Sequence, residues 1–170
     1  MANSSEGTDI KIRILGIYQI LGGTLGLGLT IWLTTSMDSI FGLILLFLLI
    51  SVGLYSYSIY CGILLLRKKN SGLNHSQINQ FLQLLNFTMF GFSFKYISGA
   101  FLSVGLDLTT SVQMHFRLGV STWQITINDN PELFEINLNL VAFFLIVFID
   151  RLKRKIVEEK NRTQVSEIGQ

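Results

Sequence analysis

The sequence is poor in the residues that carry most protein chemistry. It holds one cysteine, Cys61, one proline, Pro131, and two histidines, His75 and His115. A single cysteine excludes an internal disulfide, a cysteine-based zinc site and a thiol relay, each of which needs a partner sulfur. The two histidines fall in separate connecting segments and make no metal constellation. Charge is scarce as well: 14% of residues are Asp, Glu, Lys or Arg, against about 25% in soluble domains. A net charge of +2 offers little to a nucleic acid. No nucleophile–base pairing, glycine-rich phosphate loop or intramembrane acidic pair can be placed, so neither an enzyme nor a cofactor is expected.

What the chain has in excess is apolar surface, with 49% hydrophobic residues and a mean hydropathy of +0.49. Its opening, MANSSEGTD, is polar and carries two acids where a secretory signal would be basic. The first apolar run is therefore expected to stay in the protein as an anchor. A membrane helix needs roughly 20 apolar residues. Uncharged runs cover 14–37, 39–66, 76–106 except for Lys95, and 136–149. They predict an all-α integral membrane protein, one domain over 1–170, with helices at about 12–35, 40–66, 78–106 and 131–152. The tails 1–10 and 161–170 are expected to be disordered.

The fourth span is ambiguous in its first residues. ELFEINLNL alternates like a strand, yet a helix confined to 138–152 would be only about 22 Å long. Asn130-Pro131-Glu132 supplies a cap, a first-turn proline and an acid at the positive helix end, which favours a helix from Pro131. Basic residues flank the spans at Lys11 and Arg13, at Arg67, Lys68 and Lys69, and from Arg151 to Lys155. The positive-inside rule puts these clusters, and both termini, in the cytoplasm.

Between the third and fourth spans, Val112, Met114, Phe116, Leu118 and Val120 alternate with polar residues, as do Trp123, Ile125 and Ile127. The pattern predicts an extracytoplasmic β-hairpin over about 111–128, turning at Val120-Ser121 and pairing Leu118 with Trp123 and Phe116 with Ile125. Those four residues would form its partner surface. Within the bilayer, Gly22/Gly26 and Gly99/Ser103 have the spacing of close helix packing.

Lys95 is the outlying charge. In a helix it would lie about 16 Å from either interface, and even insertion scales set about 2.5–3.5 kcal/mol against a central lysine. On helical spacing it shares a face with Thr88 and Ser98, and Gln19 is a candidate neighbour, so Lys95, Thr88, Ser98 and Gln19 form the candidate binding set. No carboxylate is expected at its depth.

GIYQILGG, YSIYCGILLL, INQFLQLLNF, FKYISG and INLNLVAFFLI together resemble strings in uncharacterised small four-span membrane proteins of Bacteroidota-type bacteria. The resemblance implies a bacterial cytoplasmic membrane and no activity. The expected function is a non-enzymatic accessory or scaffold subunit, in contact with lipid and a membrane-protein partner. The alternative is a homo-oligomeric transporter or channel with Lys95 on an anion path.

Overall fold

The computed structural model describes residues 2–35, 42–68, 71–109, 111–127 and 131–168. The first two apolar runs become an antiparallel helical pair, α1 (Ala2–Thr35) and α2 (Leu43–Leu66). Small residues bring the helices together: a side chain on Gly16 would meet the Gly62 carbonyl at 3.0 Å, and Gly26 lies directly under the Tyr55 ring. These are the only described helices long and apolar enough to cross a membrane.

Beyond them the chain is α+β. Helix α3 (Gly72–Leu84) passes without a loop into strand β1 (Leu85–Met89). A two-residue turn, Phe90-Gly91, has positive φ at both positions, as a twisted tight hairpin demands. It leads into the long strand β2 (Phe92–Asp107), followed by β3 (Gln113–Ile127) and the short β4 (Glu135–Asn139). Asn139 then accepts the Val141 and Ala142 N–H groups and caps α4 (Leu140–Ile168).

The strand pairings have an unusual consequence. β1 pairs antiparallel with the first residues of β2 and with β4, while β4 pairs antiparallel with the last residues of β2. Three mutually antiparallel strands close a ring only if one of them changes direction. β2 is that strand. Its ladder with β3 breaks between Ile97 and Ala100, where Gly99 has φ +103°, a conformation that excludes most side chains. The four strands therefore fold into a small cup whose bend rests on α1. There Gly22 is close enough that an added Cβ would lie 2.5 Å from the Gly99 nitrogen.

Two expectations are corrected here. The third and fourth spans are not transmembrane helices: 85–107 is strand, and 135–139 is strand before the helix begins at Leu140. The reason is period. From Phe92 to Tyr96 and again from Leu102 to Leu106, large apolar residues recur at even positions, with Ser93, Lys95, Ser103 and Gly105 between them. Ile97, Ser98 and Phe101 break the phase at the bend, and with Lys95 as its single charge the run reads as uniformly apolar in a hydropathy count. Pro131 and Glu132 form a turn, while Asn130 lies outside the described residues. The 111–128 segment is also not a self-contained hairpin. β3 runs on through Val120 and Ser121 and pairs with β2, Leu118 with Leu102, Phe116 with Val104, Trp123 with Tyr96 and Ile125 with Phe94. A lone hairpin is marginal, and β2 offers a longer ladder with the same alternation.

At the opposite end from the cup, Leu15, Leu65 and Ile149 pack with Leu73, joining all four helices. The basic residues gather there too. Asp9 pairs with Lys68, Lys153 donates to Gln77, and Asp9, Lys68, Lys153 and Lys160 line one open cavity.

Candidate functional site

Inside the cup, all four strands contribute polar side chains to a cavity of about 220 Å³, whose wall is completed by Phe87, Phe94 and Leu133. β1 contributes Asn86 and Thr88, β2 Ser93 and Lys95, β3 Arg117 and Gln124, and β4 Glu135 and Asn137. The opposite side of β3 carries Met114, Phe116, Leu118 and Val120, all strongly exposed. In register beside them stand Leu106, Val104 and Leu102 of β2.

Glu135 is the anchor of the charged wall. Its Oε1 lies 2.9 Å from His115 Nε2 and 3.1 Å from an Arg117 guanidinium nitrogen, and accepts the Asn137 amide at 2.8 Å. His115 Nε2 also stands 2.9 Å from Asn137 Oδ1. Two acceptors at that nitrogen mean that Nε2 carries the proton. The ring fits because the neighbouring position is Gly105, where a side chain would collide with His115 and Asn137. A carboxylate so surrounded by donors serves as a counter-ion rather than a free base.

Lys95 is differently placed. Among the described residues its ammonium makes no ion pair; it lies 5.1 Å from the centre of the Phe101 ring, within cation–π range. Burial and, secondarily, the Arg117 charge push its pKa below the ordinary lysine range, with Glu135 pulling the other way. Two fixed cations and one carboxylate thus face a shared cavity. The excess positive charge suits an anion, and the volume suits a small one.

Below the cup lies a second polar feature, a seam between α3, α1, α2 and the bend of β2. α3 is turned inside out: its buried residues are Gly72, Ser76, Asn79, Gln80 and Gln83, while Ile78, Phe81 and Leu82 are exposed. Asn79 donates to Ser58 and Gln19 and accepts from the Tyr96 hydroxyl. Ser98 donates to Ser58, Gln83 Oε1 accepts the Ser98 N–H, and Asn86 Oδ1 accepts the Tyr96 N–H. Ser121 ties the bend to α1 by accepting the Gly99 N–H at 3.0 Å and donating to the Gly22 carbonyl at 2.9 Å. Gln19, Gln80, Gln83 and Asn86 each keep an amide nitrogen with no protein acceptor among the described residues.

The four binding residues read from the sequence divide between these features. Lys95 and Thr88 line the cup; Ser98 and Gln19 lie in the seam, separated from Lys95 by the sheet. Gly22 and Gly99 do meet, as helix against strand, while Gly26 packs on Tyr55 and Ser103 is buried in β2. Phe116 and Leu118 are outward, whereas Trp123 and Ile125 are half-buried. Arg117, His115, Glu135 and Asn137 were missed. Their signal was present: His115 and Arg117 are the polar partners in the β3 alternation, and Glu135, Asn137 and Asn139 those of β4. No family model, curated protein or solved structure matches the chain, and the resemblance read from the sequence gains nothing from them.

Proposed function

We propose that the protein is a membrane-embedded binding protein that offers a cationic cup to a small anion. The observation that carries this reading is inverted polarity. The fully buried side chains include Gln19, Asn79, Gln80, Gln83, Asn86 and Asn139, types that soluble proteins rarely bury. The exposed ones include Leu21, Leu25, Leu49, Phe81, Phe116 and Leu118. Such a surface fits hydrocarbon, where interiors are the polar side. Helices α1 and α2 serve as the spanning segments; 39% and 22% of their most apolar windows are buried, too little for core helices of a soluble fold. The gathered basic residues support a cytoplasmic side for the end opposite the cup.

The cup binds rather than catalyses, since its carboxylate is occupied by three donors and its lysine has no ion-pair partner among the described residues. The test is a calorimetric titration of the full chain in mild detergent with nitrate and with acetate. Binding of either that is weakened roughly tenfold by Lys95→Gln, equivalent to one charge-assisted hydrogen bond, supports the reading. Equal binding by the variant, or none by the native chain, ends it.

A further inference from the structure

The seam has a one-sided chemistry. Gln83 and Asn86 commit their oxygens to backbone N–H groups of β2, and Gln19 commits its oxygen to Asn79. What remains unmatched is four amide donors, Gln19 Nε2, Gln80 Nε2, Gln83 Nε2 and Asn86 Nδ2, and one hydroxyl, Ser76 Oγ. Each of these residues is at most 1% exposed. A cation would find the Gln19, Gln83 and Asn86 oxygens already engaged, whereas an anion finds four amide N–H groups unengaged.

The placement is also directional. Asn86 lines the cup and is the uppermost of these amides. Below it, Gln83, Gln80 and Ser76 follow one face of α3, with donors about 4.5–6 Å apart along the axis. Gln77, beside Ser76, receives Lys153 at the basic end. Resting on the reading that α1 and α2 span the bilayer and that the cup holds an anion, we propose that the seam conducts a small inorganic anion of halide size between the cup and the basic end. Lys95 and Arg117 concentrate the ion at the entrance. Neutral amide donors then replace part of its hydration shell in succession, holding it loosely enough to let it leave.

The experiment reconstitutes the full chain in phosphatidylcholine–phosphatidylglycerol vesicles and follows chloride efflux under a potassium–valinomycin potential. Potassium flux without valinomycin is the control. Native protein is expected to pass chloride and exclude potassium. Gln83→Met and, separately, Gln80→Met are expected to slow chloride roughly tenfold, the effect of one lost hydrogen bond to a charge, while Gln80→Met leaves binding to the cup in detergent unchanged. Thermal melting of each variant identifies any that fails to fold, and Gln80→Asn, which keeps the donor, is expected to retain most of the flux. Cup binding with no chloride flux, flux indifferent to both methionine variants, or equal potassium flux would overturn the conduit and leave the binding reading standing. Loss of cup binding in the native chain is the separate result that removes that reading.

Discussion

Lys95 is held in β2 against the Phe101 ring with no carboxylate of its own, and the protonated form is the one an anion needs. On the proposed reading, anion affinity is expected to be present at neutral pH and lost as pH rises through the Lys95 pKa. Because burial lowers that pKa, the loss is expected to begin below the ordinary lysine value of about 10.4. Nitrate titrations across the alkaline range check this, with Lys95→Arg expected to remain bound throughout. Ser121 acts on stability instead. Replacing it with Ala leaves the Gly99 N–H without a partner and removes the tie to the Gly22 carbonyl, a loss of about 1–3 kcal/mol for a buried group. The measurement is thermal unfolding in detergent. Gly22→Val is expected to be worse, because the backbone of Ser98 and Gly99 already occupies the space its side chain would take.

Among the elements, β2 decides the architecture, since its bend lets the strands enclose a cavity. Gly99→Ala forces an alanine into φ +103°, at a cost on the order of 1–3 kcal/mol, and is expected to lower the melting temperature while also weakening anion binding. The β3 face makes a separate prediction. With Trp32 and Trp123 replaced by Phe, a lone tryptophan at Leu118 is expected to be quenched by brominated acyl chains; unquenched fluorescence would place that face in water or against protein. The first two helices were legible in the sequence because their apolar runs coincide with long uninterrupted elements. β2 was not, because its polar partners are mostly Ser and Gly, and the single internal charge, Lys95, does not mark a period. The same omission hid the cup. Read as a helix, Lys95 sits beside Ser98; read as a strand, it turns to the opposite side and meets residues from β3 and β4 that only tertiary pairing brings near. The alternation of 112–127 was read correctly as strand, but a register that satisfies both faces internally cannot disclose that a better partner lies in the preceding apolar run.

For the whole molecule, polarity runs outward from an interior rich in buried amides and hydroxyls to an apolar surface, and lengthwise from the cup to a basic end. The protein is expected to stay in the membrane fraction through an alkaline carbonate wash, and release into the supernatant would contradict the embedded reading. The cavity that Lys68, Lys153 and Lys160 line is expected to favour anionic headgroups, by about 1 kcal/mol per basic residue near the surface. Thermal stability in detergent should accordingly rise when phosphatidylglycerol is added, and less so when Lys153 and Lys160 are made Gln.

The joint between Ser121 and Gly22 joins residues 99 positions apart in the chain, and that separation imposes an order of events. A ribosome delivers α1 and α2 first, and the strands that must bend over Gly22 emerge only after that surface exists. The helical pair is then a template: the sheet acquires its curvature by settling on a helix already in place. A chain that begins after α2 would carry every residue of the cup and still lack the surface against which the cup takes its shape.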